Sequence, residues 1–349
     1  MDEMGGSSLL TPFQLSSQPT HRILHGGNMK INKKMKEQLF VILPITLIII
    51  IGFSLMPQAT ASTRVYQLLS DYQDERNGGD GWLRIMTFNP LSDSVQVKTF
   101  SPWLNQYQTD ENSQFAFTFD LNGTIPFTLI VLPDTQYYSK SYPEIYVNQT
   151  KWIVEQETSL NIIFVQHLGD IVDRFDNIIQ WHNSLDAMNI LKNSNIPYGV
   201  LPGNHDFVTW ESNTRSYYYQ FYGPSAFNNY PYYQGSYNND NFNNYEFIDF
   251  DGNKLMFLNL QYSPTAAICD WAYYVAQENS DRQIILSTHE FVGAVGRTSI
   301  GEKIWNSVVV PNANHLQIVL CGHFNGEYTF QLNTMSAPRE YMRVDTVNI

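Results

Sequence analysis

The chain is short of cysteine, of basic residues and of long apolar runs. Cys269 and Cys321 are the only cysteines in 349 residues, so no disulfide framework can be inferred. One bridge remains open if the compartment is oxidising, and two buried free thiols are the plainer alternative. Lysine and arginine number 20 against 33 acidic residues, which argues against sequence-independent nucleic-acid binding, because that needs a basic surface to displace phosphate counterions. Internal repeats are absent. What remains, 43% apolar content, is enough to bury one large core or two modest ones.

The single long apolar run lies near the amino terminus, from Leu39 to Met56. Lys30, Lys33, Lys34 and Lys36 precede it and Pro57-Gln58-Ala59-Thr60-Ala61 follow. A basic region, an apolar region and a small-x-small end are the parts of an export signal, here 29–61, with cleavage after Ala61. The run is also about long enough to be retained as a membrane anchor at 39–56. Residues 1–28 then read as an over-called start or a disordered tail. The expected location is secreted or extracytoplasmic, with membrane contact only through this segment. The segment to Ala61 holds Arg22 and four lysines against Asp2, Glu3 and Glu37, leaving acidic residues in about two-to-one excess beyond it.

Strands and helices alternate through the body. Phe127–Leu132, Ile162–Leu168 and Tyr198–Leu201 are β-branched or apolar runs, separated by helical spacing over Tyr142–Glu157 and Asn177–Leu191. That order predicts a parallel sheet with right-handed crossovers, whose carboxyl edge gathers Asp134, Asp170 and Asn204 in one crevice. A hairpin is expected around Asp251-Gly252, and two further strands at Gln283–Ser287 and Leu316–Leu320.

Five polar clusters follow these strands: Asp134-Thr135-Gln136, Gly169-Asp170-Ile171-Val172-Asp173, Gly203-Asn204-His205-Asp206, Thr288-His289-Glu290 and Gly322-His323-Phe324-Asn325. The series D-x-[H/Q], G-D-x-x-D, G-N-H-D, a lone His and G-H-x-H resembles the calcineurin-like metallophosphoesterase superfamily over about residues 125–335. The resemblance implies an α/β fold, a four-layer β-sandwich flanked by helices, and hydrolysis of phosphomonoesters or phosphodiesters by a metal-activated hydroxide. By position, Asp134, Gln136, Asp170 and Asn325 match the ligands of a first metal. Asp170, Asn204, His289 and His323 match those of a second, with Asp170 as the bridge. Asn204 would also meet the substrate. His205 resembles the catalytic acid, held by Asp173, and Arg174 could reach a substrate phosphate or form an ordinary ion pair. His167, His182 and His315 lie off the motifs and read as satisfied or exposed histidines.

Such a site has a physical rationale. Two divalent ions roughly 3.5 to 4 Å apart clamp phosphoryl oxygens and bring the pKa of water towards neutrality, so no side-chain nucleophile is needed. The ions would be drawn from Mn2+, Fe2+, Mg2+ and Zn2+. Gln136 and Asn325 stand where many relatives have His, and amide oxygens at the first metal favour Mn2+, Mg2+ or Ca2+ over Zn2+. The expected partner is a small phosphate ester such as a nucleotide or sugar phosphate, with no nucleic acid. The alternative is an exported binding protein on a catalytically impaired scaffold.

Two segments surround this pattern. Residues 62–122 read as a β-meander that completes a sheet of the domain at 123–349. In relatives of the D-T-Q branch a similar stretch follows the G-H-x-H motif, so the chain looks circularly permuted, the alternative being a separate small β-domain. The insertion at 210–245 is rich in Tyr and Asn, suited either to a sugar or base ring or to a self-packed cap.

Overall fold

The computed structural model describes residues 63–208 and 216–333 and the backbone of 342–343. The export or anchor segment at 29–61 and the tail at 1–28 lie outside the described residues, as do residue 209 and 210–215 of the aromatic insertion. Among the described residues no helix is long and apolar enough to cross a membrane.

In chain order the strands are β1 (Arg64–Asp71), β2 (Leu83–Asn89), β3 (Ser94–Ser101), β4 (Gln106–Gln108), β5 (Gln114–Thr118), β6 (Phe127–Leu132), β7 (Ile162–His167), β8 (Tyr198–Gly199), β9 (Tyr233–Ser236), β10 (Asn244–Phe250), β11 (Asn253–Leu260), β12 (Gln283–Thr288), the ribbon β13 (Val292–Gly293) and β14 (Gly296–Arg297), β15 (Leu316–Cys321), β16 (Gly326–Asn333) and β17 (Met342–Arg343). One sheet has the order β17-β16-β1-β15-β12-β11-β10-β9, and the other β4-β3-β2-β6-β7-β8 with β5 on β3. In the centre of each, the strands are parallel: β1, β15, β12 and β11 in the first, β6, β7 and β8 in the second.

Alternation along the central strands explains the layering, because successive side chains point to opposite faces. Leu129 and Val131 of β6 join Phe164, Phe257, Ile285 and Ile318 in a core between the sheets. Ile130 and Leu132 point the other way and pack with Ile145, Ile153, Trp181 and Met188 of two helices. On the first sheet, Val65, Leu69 and Val319 meet Ile268, Ala272 and Trp305 of another helical layer. The result is helices, sheet, sheet, helices, the four-layer arrangement expected. The crossover helices are Pro143–Leu160, opened by proline at its first turn, and Ile178–Asn193, whose cap Asn177 accepts from the Ile179 amide.

The amino-terminal segment departs from the expected meander. β1 joins the first sheet between β15 and β16, whereas β2 and β3 join the second beside β6. The turn from Gly78 to Gly81 makes the switch, with φ of 74°, 118°, 44° and 77° at Gly78, Gly79, Asp80 and Gly81. The hydroxyl of Tyr138 accepts from the Gly81 amide at 2.9 Å, and a Cβ on Gly79 would stand 2.4 Å from that hydroxyl oxygen. This is why one segment supplies strands to both sheets.

The aromatic insertion follows the self-packed alternative. Tyr218 and Tyr222 are buried against Trp181 and Phe242, and Tyr237 and Tyr245 pack on Trp271. Cys269 and Cys321 are free and buried.

Candidate metal centre

The carboxyl ends of β6, β7, β8, β12 and β15 bring Asp134, Asp170, Asn204, His289 and His323 to one crevice, as the strand order requires. Close approach of their loops depends on glycine. A Cβ on Gly203 would lie 2.1 Å from Asp170 Oδ1, and one on Gly322 would lie 2.9 Å from Asp134 Oδ2. Two of the polar residues themselves hold left-handed backbone, Asp170 at φ 48° and His323 at φ 72°. Such strain costs on the order of 1–3 kcal/mol and collects at functional sites.

His289 is the centre of the cluster. Its Nδ1 donates to the Leu168 carbonyl at 2.9 Å, which places the ring lone pair on Nε2. Around that nitrogen stand Asn204 Oδ1 at 3.0 Å, Asp170 Oδ2 at 3.2 Å and His323 Nδ1 at 3.2 Å. With these two ring nitrogens, an amide oxygen and a carboxylate oxygen, all within 3.2 Å of His289 Nε2, the cluster forms a donor set suited to a divalent cation. A proton on Nε2 serves one of the three at a time, whereas a divalent ion serves all. The same field sets the titration of His289. Burial pushes its pKa down, yet the Asp170 carboxylate, the Leu168 carbonyl and Asp206 together outweigh burial and leave it raised. Burial also raises Asp170, but His289 and the His205 amide hold it below the usual carboxylate range. His323 is lowered to about 4 by burial and by His289.

The first-metal set is less complete. Asp134 is buried, accepts the His323 amide on Oδ2 at 3.0 Å, and has no hydrogen-bond partner for Oδ1, although His289 Nδ1 lies 3.3 Å away. Gln136, at the start of the helix Gln136–Ser141, is buried with Oε1 equally unpartnered. These orphaned oxygens suit a hard cation. Asn325 does not join them. It is exposed, and its Nδ2 donates to Asp74 Oδ2 at 2.9 Å. The expectation of Asn325 as a ligand is corrected on that ground: the turn after His323 carries it outwards.

Asp173 departs from expectation, and Arg174 takes one of its two expected readings. The main-chain oxygen of Asp173 accepts from His205 Nδ1 at 2.8 Å, while its carboxylate pairs with Lys140 Nζ at 2.9 Å. Arg174 is exposed and forms the ordinary ion pair, its Nη2 lying 3.1 Å from Asp176 Oδ2. His167 is satisfied, accepting the Gly169 amide on Nδ1 and meeting Thr135 Oγ1 at 2.9 Å, and burial lowers it to about 3.

Four further residues belong here. Asp206 Oδ2 accepts the amides of Ile171 and Gly203 and Oδ1 that of Val172, at 2.8–3.1 Å, which ties two site loops together. Burial and then Asp170 raise it to about 7. Tyr262 lies 5.2 Å from the His323 ring and hydrogen-bonds to Glu290, whose Oε2 is 3.6 Å from His323 Nε2. Asp71, at the end of β1, is fully buried beside Asp134, and burial raises it to about 6. A signal for Asp71 was present in the sequence: an acidic residue closing a strand that runs parallel to the others.

Comparison with known proteins follows this geometry. Residues 127–326 match the family model described as calcineurin-like phosphoesterase. Over 200 residues the chain is 40% identical to the uncharacterized protein YvnB of Bacillus subtilis (strain 168), covering 57% of this chain and 15% of that much longer relative. Among solved structures, a dimetal phosphatase from Danio rerio superposes with a TM-score of 0.37 at 12% identity, over 59% of this chain and 92% of that one.

Proposed function

Because the chain belongs to the calcineurin-like phosphoesterase family, we propose that it is a metal-dependent hydrolase of small phosphate esters, built on two divalent ions. The observation that carries this reading is the convergence of Asn204 Oδ1, Asp170 Oδ2 and His323 Nδ1 within 3.2 Å of His289 Nε2, a donor set suited to a divalent cation. Asp170, Asn204, His289 and His323 would hold the second ion, and Asp134, Gln136 and Asp170 the first. When bound, the ions polarise the phosphoryl oxygens and make water acidic enough to attack near neutral pH.

The chain's own residues do the rest. His205 donates from Nδ1 to the Asp173 carbonyl, so Nε2 is free to carry a second proton and hand it to the departing ester oxygen. Its backbone amide donates to Asp170 Oδ1 at 2.9 Å, which fixes the ring beside the bridging carboxylate. The Asp173 carboxylate is engaged instead by Lys140 Nζ at 2.9 Å. Export through the segment 29–61 and a permuted origin of residues 62–122 are part of the same proposal. The place of β1 between β15 and β16 supports the permutation.

The test uses chelator-stripped protein. Turnover of p-nitrophenyl phosphate and of its bis ester should return on adding Mn2+, and Asp170→Asn should lose both turnover and bound metal. Equal metal content in wild type and Asp170→Asn would reject the reading. Export is tested separately, by fractionating cells that express the full chain.

A further inference from the structure

The family pattern leaves one ligand position of the first ion empty, since Asn325 is turned out to Asp74. Asp71, in none of the five clusters, stands nearby. It ends β1, paired in register with Gly326 of β16, while Leu69 pairs with Cys321 of β15. The strand therefore delivers Asp71 to the edge that also carries His323. Its side chain is fully buried, and its carboxyl group lies close enough to that of Asp134 for each to perturb the other's charge. Gln73 holds it in place, with N donating to Oδ1 and Nε2 to Oδ2, each at 2.9 Å.

Three buried carboxyl groups, Asp71, Asp134 and Asp170, thus meet in one crevice. Among the described residues no lysine or arginine pairs with any of them, and His289 is the ionic partner of Asp134 and Asp170. Buried carboxylates at such density are costly without a cation. Two buried oxygens in the same set, Asp134 Oδ1 and Gln136 Oε1, have no hydrogen-bond partner.

We propose that Asp71 supplies the ligand that position 325 does not, so that the first ion is held by Asp71, Asp134, Gln136 and Asp170. Every donor in that set is oxygen, whereas the second ion has two imidazoles. The first site is then a hard-cation site, suited to Mn2+, Mg2+, Ca2+ or Fe2+ before Zn2+, and the pair is chemically unequal. It also makes the amino-terminal strand part of the active centre.

This assignment rests on the two-ion reading, and one experiment separates the two. The full chain, stripped by chelator, is equilibrated with Mn2+ and its bound metal counted by elemental analysis, for wild type, Asp71→Asn and Asn325→Ala. Wild type should bind two ions, Asn325→Ala the same two at the same affinity, and Asp71→Asn should weaken one of them about 10 to 100-fold. Both ions kept at full affinity in Asp71→Asn, or one lost in Asn325→Ala, would overturn the assignment while leaving the hydrolase reading standing. Fewer than two ions in wild type would overturn both. Should Asp71→Asn not fold, as judged by circular dichroism of the metal-free protein, Asn325→Ala decides: loss of an ion refutes the assignment, and retention of both upholds it.

Discussion

His205 Nδ1 and the main-chain oxygen of Asp173 lie 2.8 Å apart, while the Asp173 carboxylate turns away to Lys140. A backbone acceptor orients the imidazole without adding a charge. His205→Ala should therefore slow turnover by something like 10² to 10⁴-fold with metal content unchanged, the range for a lost general acid. Asp173→Asn keeps the carbonyl and should cost less than 10-fold. Steady-state kinetics with an activated aryl ester and a poor alkyl ester check this: the loss in His205→Ala should be larger for the alkyl ester, whose leaving oxygen needs the proton.

Much of this arrangement is legible in the residues themselves. β6 was read as Phe127–Leu132 and has those bounds, because a continuous apolar run ending at Pro133 buries both faces. The five clusters were placed at strand ends by the same reasoning, and four of them converge on His289. Asn325 and Asp173 were misplaced for one reason: a motif gives residue type and spacing, but not which way a turn points or whether side chain or backbone makes the contact. Asp71 was missed because its strand lies about 250 positions from its sheet neighbour β15, and register between such distant segments is set by packing, not by local pattern.

Asp206 should matter to stability more than to chemistry. Its carboxylate is the acceptor for three buried amides, of Ile171, Val172 and Gly203. Asp206→Ala leaves them unsatisfied and is expected to cost roughly 2–4 kcal/mol, given 1–3 kcal/mol for a typical buried orphan. Denaturant unfolding of the metal-free protein measures it. A loss under 1 kcal/mol would mean that water or a rearranged loop replaces the carboxylate.

Glu246 gives a pH dependence away from the metal centre. It is buried in β10, with Oε2 accepting from Asn259 Nδ2 at 2.8 Å, and burial raises its pKa well above the usual carboxylate value. The folded state then holds a proton that the unfolded chain releases near pH 4.3. Its contribution is fully present below that pH and is lost as pH rises towards the folded value. Glu246→Gln removes the titration, and should be more stable than wild type at pH 8 by about 1–3 kcal/mol, the scale for a buried polar group left uncompensated. Unfolding midpoints from pH 4 to 8 should converge at the acid end and part at the alkaline end. Parallel curves would show that Glu246 ionises freely in the fold.

The last prediction tests whether residues 63–122 are part of the catalytic domain. Arg84 in β2 and Glu327 in β16 join the two sheets through a buried pair, Nη2 to Oε1 at 3.3 Å, with side-chain exposures of 1% and 7%. Tyr72, Thr99 and Ser113 also donate to the Glu327 carboxylate, and Arg84 donates to the Asn112 carbonyl at 3.2 Å. Removing one member strands the other charge in a dry interior, so Arg84→Ala should destabilise by about 3–5 kcal/mol. The double variant Arg84→Met with Glu327→Leu should recover much of that loss, because it removes both charges together. The contrast separates an unpaired charge from simple lost packing. The same logic extends to the segment as a whole: a chain beginning at residue 123 loses β1 from between β15 and β16 and β2 from beside β6, leaving open edges at β15, β16 and β6 and a buried Glu327 without its partner. It should be insoluble or unfolded alone, and co-expression of residues 63–122 should restore soluble, metal-binding protein. If the fragment from 123 folds and binds metal as the full chain does, the amino-terminal strands are an accessory layer, and the permuted domain proposed here would have to be given up.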